Sequence, residues 1–290
     1  MDSTVESGRA KVGRRFIDRS RPTWPILTAF GLYLAWTVLT WILEGRIRTF
    51  LRPAATVDRL VYTGTANLLV GTLVALYLVG RLAPILGDDP DRVGLRSIGR
   101  TVVGVGVAGV TGLGLYLAQG APSTDPVVVG NAFAQVLPVS IAEVVVCWVL
   151  VGGTLEAWLR RRGTARVWAV STALFVSSGL FGVYHLAHSP PFNSPAMIGL
   201  LTFVGFGTGL FFFLGRSLYG ALVFHNFMAL FGVTSALVAG GRIETYGQPV
   251  VPLVATAVVA FAVLVAAERR FVRRPLAAHR NPMADRVDRD

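Results

Sequence analysis

The hydrophobic residues of this chain fall into eight long runs that are separated by short polar segments. About 20 consecutive apolar residues are enough for a helix to cross the roughly 30 Å hydrocarbon core of a bilayer. The pattern therefore predicts eight transmembrane helices, near residues 24–43, 62–86, 101–119, 128–157, 167–187, 196–215, 217–239 and 249–267.

The length and period of these runs indicate helices and not strands. Transmembrane β-strands would give alternating segments of about 10 residues, which the sequence does not show. The predicted fold class is all-α, a polytopic transmembrane helical bundle of about eight spans. The fourth run is too long for one straight crossing and contains Pro138. We therefore expect this helix to kink or to begin near that proline.

Most of the charged residues of the chain lie between and outside these runs. Hydrophobic residues make up 53% of the sequence and charged residues only 15%, whereas soluble domains carry about 25% charged residues. The net charge of +11 comes from arginines that flank the apolar runs, as topology signals do. We therefore expect the lipid bilayer, and not a nucleic acid, to be the partner of these charges. Cys147 is the only cysteine, which excludes an intrachain disulfide.

The basic segments predict the domain organisation and the orientation of the bundle. A helical bundle over residues 23–268 lies between two basic tails, residues 1–22 and 269–290. Basic residues accumulate on the cytoplasmic side of membrane proteins, so an even number of spans predicts that both tails are cytoplasmic. The loop 44–60 departs from this rule, because it carries four arginines on the side that is predicted to face outwards. The architecture and the dominance of arginine, with Lys11 as the only lysine, favour a prokaryotic plasma membrane.

Among the few ionisable residues inside predicted spans, where such groups are costly and are functional candidates by default, three stand out. Glu143 interrupts the fourth run, His185 ends the fifth run, and His225 lies inside the seventh. A single buried histidine can also be a plain hydrogen bond between helices. However, one glutamate and two histidines on three different spans, in a chain with only four histidines, favour a shared site.

Glutamate and histidine together are the groups that activation of a water molecule requires. A carboxylate that is removed from water can accept a proton near neutral pH. A histidine can stabilise the oxyanion that forms when water attacks a carbonyl. Carboxylate and imidazole are also common ligands of zinc. Glu143, His185 and His225 are therefore candidates for a catalytic set without a cofactor, or for the ligands of a divalent metal ion, and both interpretations stay open.

Three further polar residues have structural interpretations and are only auxiliary candidates for the site. Glu156 and Arg160 are four residues apart with the acid first, the favourable order for an ion pair within a helix. We expect this pair to lie near the cytoplasmic end of the fourth span. His188 comes shortly before Pro190 and Pro191, and proline cannot continue a helix. We therefore expect His188 to be an exposed helix end.

The segment "FGVYH", residues 181–185, resembles the F-x-x-x-H motif of the CPBP family, which comprises CAAX prenyl endopeptidases and bacteriocin-processing proteins. The family consists of intramembrane proteases and includes members that are associated with bacteriocin immunity. Its motifs follow the order Glu-Glu-x-x-x-Arg, then F-x-x-x-H on the next span, then H-x-x-x-N two spans later. The resemblance covers about residues 138–232. It implies that Glu143 and His185 activate the attacking water and that His225 stabilises the oxyanion.

The first motif of the family has two possible placements in this chain, and each departs from the family pattern. Glu143 keeps the first acid, but Val144 stands in place of the second acid and Trp148 in place of the arginine. Glu156 keeps the second acid and Arg160 keeps the arginine, but the first acid is missing. We favour Glu143, because the arginine cluster at the end of its span follows at about the expected distance.

The third motif is also incomplete. His225 is present, but Ala229 stands four residues later where the family has asparagine. Asn226 is adjacent to His225 and points about 100° around the helix from it. It is an auxiliary candidate that would need a different local backbone to replace the missing asparagine.

The sequence thus predicts an intramembrane endopeptidase that hydrolyses a peptide bond in a membrane-associated peptide or protein. The reaction would be glutamate-based or metal-dependent, and the residues do not decide between the two. The missing motif residues leave open a second interpretation, a non-catalytic relative with an immunity, binding or scaffold role. A third interpretation is a b-type haem protein with His185 and His225 as the axial ligands.

Overall fold

Eight helices in the described part of the chain are long and apolar enough to cross a membrane, which confirms the predicted all-α polytopic bundle. The structure is a computed structural model that describes residues 22–50, 55–87 and 93–280, with side chains up to residue 277. By length and composition of these helices, the chain is an integral membrane protein. We number the helices α1 (Trp24–Gly45), α2 (Thr56–Leu86), α3 (Ile98–Ala118), α4 (Pro126–Arg161), α5 (Arg166–Ala187), α6 (Pro195–Phe213), α7 (Leu218–Ala239) and α8 (Val251–Ala277).

The helix ends lie close to the predicted ones, with two larger differences. Helix α2 begins at Thr56, six residues before the predicted start at 62. Helix α8 passes the predicted end at 267, and the backbone stays helical to Arg280. Part of the segment predicted as a basic tail is therefore helical, and Glu268 within it is buried and paired with Arg273 at 3.0 Å. Residues 1–21 and 281–290 of the predicted tails lie outside the described residues.

Three of the helices that build the site begin at a side-chain cap. Asp125 accepts a hydrogen bond of 2.7 Å from the backbone N–H of Val127 at the start of α4. Ser194 and Ser217 do the same at the starts of α6 and α7. These side chains replace hydrogen-bond partners that the first turn of a helix lacks. Polar residues between the apolar runs therefore define where these three helices start.

Helix α4 is the central helix of the bundle. Every residue from 138 to 154 is buried, because α4 packs against α1, α2, α5, α6, α7 and α8. Its 36 residues span about 54 Å, which exceeds the roughly 30 Å hydrocarbon core. Of the two alternatives expected at Pro138, a kink or a late start, the late start is wrong, since α4 begins at Pro126 and continues through that proline. A helix that contacts protein on all sides is apolar all round, which explains the unusually long run.

The turns of α4 widen directly after Glu143. From Val144 to Gly152 the backbone has i→i+5 hydrogen bonds, the pattern of a π-helix. In a regular α-helix, Glu143 and Trp148 would point about 140° apart. The wider turns reduce this angle. Both side chains therefore reach His225 of α7, Glu143 by a hydrogen bond and Trp148 by a ring contact.

Two glycines allow the close helix contacts that shape the site. A Cβ atom added at Gly182 of α5 would overlap the Thr202 hydroxyl of α6. A Cβ atom added at Gly45, the last residue of α1, would overlap the carbonyl oxygen of Ala187. Small residues commonly permit such close contacts between membrane helices. The end of α1 is thereby held against the segment that carries His185 and His188.

Candidate active site

Glu143 forms the centre of a buried polar cluster between α4, α5 and α7. Its side chain is buried in the middle of the central helix. One carboxylate oxygen, Oε2, lies 2.8 Å from Nε2 of His225. The other, Oε1, lies 3.7 Å from Nε2 of His185. The structure thus brings together the three residues that the sequence singled out, although they come from three different helices.

The hydrogen bonds of His225 fix the proton on the nitrogen that faces Glu143. An ionised carboxylate only accepts hydrogen bonds, so the contact of 2.8 Å requires an N–H at Nε2 of His225. The other ring nitrogen, Nδ1, lies 3.0 Å from the hydroxyl of Thr208 on α6. This hydroxyl can donate to a neutral imidazole or accept from an imidazolium. Both ring nitrogens of His225 are therefore already engaged.

His185 has the opposite arrangement, with a free lone pair that faces the cluster. It lies just after the last full turn of α5, and its Nδ1 donates to the carbonyl oxygen of Phe181 at 2.8 Å. A neutral imidazole has one N–H, so Nε2 carries the lone pair. The Phe181 ring packs edge-on against both His185 and His225, with centroid distances of 4.7 and 4.9 Å. The first and last residues of "FGVYH" are thus coupled by a hydrogen bond from the His185 ring to the Phe181 carbonyl oxygen and by ring packing.

His188 is not the exposed helix end that the sequence predicts. Its side chain is only 5% exposed and lies against the same cluster. The His188 ring stacks on His185 with a centroid distance of 4.9 Å and an interplanar angle of 22°. The chain turns back after α5 instead of leaving the bundle, because the end of α1 packs against it. A third histidine therefore belongs to the site.

Glu44 is a residue of the site that the sequence analysis missed. It is fully buried near the end of α1. Its Oε2 lies 3.2 Å from Nδ1 of His188 and accepts the backbone N–H of Ser189 at 2.8 Å. Its Oε1 accepts the hydroxyl of Ser189 at 2.7 Å. One signal was available, since Glu44 is an acid that directly follows an apolar run, in a loop where the other charges are mostly arginines.

Asn226 does not replace the missing asparagine of the third motif. Its side-chain N–H₂ donates to the carbonyl oxygen of Phe133 on α4 at 3.3 Å. The residue that occupies the motif position, Ala229, does line the cavity in front of Glu143. The helix turns regularly here, so the neighbour of His225 points to another face. At the position where the family has an amide, this chain presents a methyl group to the cavity.

Glu156 and Arg160 lie about 20 Å further along α4 than Glu143, at 1.5 Å per residue. They form the expected i,i+4 pair, with a distance of 3.6 Å. However, the stronger partner of Glu156 is Arg216, which the sequence analysis missed. Its guanidinium donates to both carboxylate oxygens at 2.5 and 2.7 Å, and both side chains are buried. This pair joins α4 to the segment before α7, and it is not part of the cluster around Glu143.

The cluster forms the polar end of an otherwise apolar cavity of about 300 Å³. Glu143 and the three histidines 185, 188 and 225 contribute polar groups to its wall. The remaining wall is mostly apolar and includes Phe50, Val139, Leu200, Leu201, Met228 and Phe231. A cavity with apolar walls and a few convergent polar groups is the usual form of a ligand site.

The same cluster contains a group that could hold a metal ion. Ligand atoms of Glu143, His185 and His188 all lie within 4.8 Å of one another. This set differs from the metal set predicted from the sequence, because His188 takes the place of His225. Imidazole nitrogens and carboxylate oxygens are typical zinc ligands. The donor set therefore fits a divalent metal ion as well as a metal-free acid–base site.

Chemically, the arrangement combines the buried carboxylate of Glu143, a histidine that donates a hydrogen bond to it (His225) and a histidine that presents a lone pair (His185). A carboxylate and a lone pair together can hold a water molecule and accept its proton. An N–H in the same pocket can stabilise a developing negative charge. Comparison of the whole chain with family models, curated proteins and solved structures yields no match, so the interpretation of this cluster rests on its own geometry.

Proposed function

We propose that this protein is an intramembrane endopeptidase of the CPBP type, which hydrolyses a peptide bond in a membrane-associated peptide or protein. One observation carries the proposal: Glu143, His185 and His225 meet at the polar end of an apolar cavity inside a transmembrane bundle. Buried ionisable groups are costly within a membrane. The segment "FGVYH" and the order Glu, F-x-x-x-H, His resemble the motifs of the CPBP family, and this resemblance indicates the reaction class.

The first step is the binding of the attacking water between Glu143 and His185. The gap of 3.7 Å between Oε1 and Nε2 is too long for a direct hydrogen bond. A water at about 2.8 Å from both atoms would subtend roughly 80° at its oxygen, which is a feasible geometry. Glu143 accepts one proton of this water as it attacks the substrate carbonyl. His185 holds the water by its other proton.

The second step is the stabilisation of the tetrahedral oxyanion. His225 carries a proton on Nε2, and Thr208 holds the ring from the other side. When Glu143 takes up the water proton, its carboxylate loses its charge and accepts the His225 N–H less strongly. This N–H then stabilises the negative charge on the carbonyl oxygen. Glu143 passes its proton to the leaving amine, which completes the hydrolysis.

The cavity indicates the class of substrate. Its walls are largely apolar, so a peptide segment must be apolar or lipid-modified to displace water from them. Exclusion of water also strengthens the electrostatic interactions within the site. A divalent metal ion, when bound, would act as a Lewis acid that polarises the water or the carbonyl.

A second candidate function is a non-catalytic CPBP-like protein with an immunity, binding or scaffold role. The observation that favours it is the replacement of three motif positions by Val144, Trp148 and Ala229, all of which are apolar. The haem interpretation has less support from the geometry. His185 and His225 both face the carboxylate of Glu143, whereas the axial ligands of one haem face the iron from opposite sides.

The decisive experiment maps the N- and C-termini of membrane proteins in cells that express this protein. The wild type is compared with a Glu143→Gln, His185→Ala double variant. A matched control carries Glu244→Gln and His279→Ala, the same two changes outside the cluster. Cleaved termini that occur with wild type and control but not with the double variant support the peptidase. Identical termini in all three, with the double variant folded, overturn the peptidase in favour of the non-catalytic role.

We further propose a prokaryotic plasma membrane as the location, with both termini in the cytoplasm. The arginine clusters after α4 and in the last turns of α8 support this orientation. Reporter fusions at the two termini test it, since a reporter that is active only in the cytoplasm should work at both ends. Activity at one end only would contradict it.

A further inference from the structure

His188 lines the same cavity as Glu143 and His185, and one of its ring nitrogens is buried without a hydrogen-bond partner in the described part of the chain. Its Nδ1 lies 3.2 Å from Glu44, and an ionised carboxylate only accepts, so this nitrogen carries the proton. The lone pair is therefore on Nε2. Among the described residues, this atom is one of the buried polar atoms that have no hydrogen-bond partner. A buried polar atom without a partner destabilises the fold, and its position in the cavity wall indicates a ligand.

The ring of His185 has the same arrangement of proton and lone pair. Its Nδ1 is held by the carbonyl oxygen of Phe181, which leaves the lone pair on Nε2. The two imidazole rings are stacked and nearly parallel. Their ligand atoms and one carboxylate oxygen of Glu143 lie within 4.8 Å of one another. Three residues that can each supply an electron pair thus lie close together, and no direct hydrogen bond joins His185 to Glu143.

A cation satisfies this arrangement better than water does. A water molecule has two protons, so it can pair with only two of the three acceptors. Ligand atoms around a tetrahedral zinc ion lie roughly 3.3 Å apart, since each zinc bond is about 2.0–2.1 Å long. The gap of 3.7 Å between His185 and Glu143 is close to that spacing. The three ligand atoms lie within 4.8 Å of one another, so the side chains would have to move together by up to about 1.5 Å to reach the zinc spacing.

We propose that Glu143, His185 and His188 bind a zinc ion, that Glu44 orients His188, and that His225 is not a ligand. Two histidines and one glutamate that leave a fourth position open are the ligand set of several catalytic zinc sites. The carboxylate of Glu44 on His188 forms the carboxylate–histidine pair that commonly supports a zinc ligand. This inference rests on the proposed function only for the role of the open fourth position in hydrolysis. Zinc binding itself needs no substrate.

His225 is excluded from the ligand set by its own hydrogen bonds. Its Nε2–H donates to Glu143, and its Nδ1 faces the hydroxyl of Thr208. Ligation through either nitrogen would break one of these buried hydrogen bonds. The structure therefore separates the three histidines of the cluster into two ligands and one hydrogen-bond donor, a distinction that the sequence does not make.

The test measures zinc directly on the full-length chain, purified in detergent with an affinity tag that contains no histidine. The protein is stripped with a chelator, dialysed against zinc chloride alone, and titrated in competition with a chromophoric chelator. The variants are His188→Ala, Glu44→Gln and His225→Ala, with His279→Ala as the control for adventitious binding by a histidine. Thermal unfolding in the same detergent verifies that each variant is folded.

We expect one zinc per chain in the wild type, His225→Ala and His279→Ala. We expect Glu44→Gln to weaken zinc binding by about 10- to 100-fold and His188→Ala to weaken it further. Wild-type protein without zinc, or His188→Ala with wild-type affinity, overturns the proposal. If His188→Ala does not fold, His225→Ala decides, because loss of zinc in that variant would make His225 a ligand. If the wild type takes up no zinc but still yields cleaved termini, the zinc site alone is overturned. If it takes up zinc but yields no cleaved termini, the peptidase alone is overturned.

Discussion

Glu143 and His225 are joined by a buried hydrogen bond of 2.8 Å, although 82 residues separate them in the chain. The bond links the central helix α4 to α7 at the polar end of the apolar cavity. Two roles follow from it. It fixes the proton of His225 on the nitrogen that faces the carboxylate, and it leaves the second oxygen of Glu143 free for His185 and a ligand.

The substitution Glu143→Gln should abolish activity and leave the bundle folded. The amide oxygen of glutamine can still accept the His225 N–H, but an amide cannot accept the proton of the attacking water. We expect the yield of wild-type-specific termini to fall by about 10²- to 10⁴-fold, the usual contribution of a general base. The exposed Glu244→Gln serves as the matched control and should keep full activity. Undiminished cleavage by a folded Glu143→Gln protein would remove Glu143 from the mechanism.

The substitution Thr208→Val should lower activity by misplacing His225. Valine has the shape of threonine but cannot form the contact of 3.0 Å with Nδ1 of His225. We expect the cleavage rate to fall by about 10- to 100-fold, since small misplacements of a catalytic group have effects of this size. The free energy of unfolding should change by only about 1 kcal/mol, the net value of one hydrogen bond. Both quantities are measured on purified protein, the first with the substrate that the mapped termini identify.

The matched control for this prediction is Thr202→Val on the same helix. The Thr202 hydroxyl donates to the carbonyl oxygen of Ile198 at 2.9 Å and contacts none of the histidines in a described hydrogen bond. Its loss should leave the cleavage rate unchanged. Equal losses in the two variants would show that the effect comes from the packing of α6 and not from His225.

The substitution Gly45→Ala should disturb the site from outside the cavity. The new methyl group would overlap the carbonyl oxygen of Ala187 and push the end of α1 away from Ser189 and His188. Such overpacking destabilises a protein by about 1–3 kcal/mol. We expect a lower unfolding temperature and weaker zinc binding, because Glu44 loses its contacts with the segment after α5.

Gly31→Ala on the same helix is the control for Gly45→Ala. A Cβ atom at Gly31 meets no atom within 4 Å, and alanine favours a helix over glycine by up to about 1 kcal/mol. This variant should be unchanged or slightly more stable, with wild-type zinc affinity. If Gly45→Ala behaves in the same way, the close contact between α1 and Ala187 has no role in the site.

The substitution Arg216→Ala should destabilise the fold strongly without touching the cluster. It would leave the buried carboxylate of Glu156 without the two hydrogen bonds of its main partner. Breaking one side of a buried ion pair costs about 3–5 kcal/mol. The double variant Arg216→Met, Glu156→Gln removes both charges and should be less destabilised than the single variant. Unfolding temperatures in detergent test this order, with the exposed Arg161→Ala as the control that should not change.

The substitution Ala229→Asn should raise activity. Ala229 lines the cavity four residues after His225, at the position where the resembled family has asparagine. A side-chain amide there would add a hydrogen-bond donor for the oxyanion, and one such donor contributes about 10²- to 10³-fold to the rate of known hydrolases. We expect at least part of that gain, about tenfold, in the cleavage rate. Ala229→Leu controls for size and should not exceed the wild type, and an Asn variant no faster than the Leu variant would contradict the role of this position.

Much of the fold could be predicted from the sequence, because the membrane imposes a simple rule. An apolar run of about 20 residues must be helical in a bilayer, where each backbone group needs a partner within its own segment. All eight helices therefore appear where the runs are. The predicted start of α2 and end of α8 were wrong by six and ten or more residues, since polar residues at a helix end can face other helices or water.

The candidate site could be predicted in part for the same reason. Glu143, His185 and His225 are ionisable residues in apolar runs, and such residues stand out in any membrane sequence. Thr208 and Glu44 do not stand out, because threonine is ordinary in a membrane helix and Glu44 lies where an apolar run ends. Thr208 and Glu44 belong to the site because α6 and α1 place them against His225 and His188. No local sequence pattern predicts these contacts between helices.

The sequence by itself determined the number of helices, their apolar character and the identity of three polar residues within them. Only the tertiary structure decided which of these residues share a point in space. The wide turns after Glu143 bring Trp148 and Glu143 to the same histidine. The close contact at Gly45 turns His188 inwards and gives it Glu44 as a partner. Both contacts join helices that are far apart in the chain, and the side-chain pattern of a single helix holds no information about them.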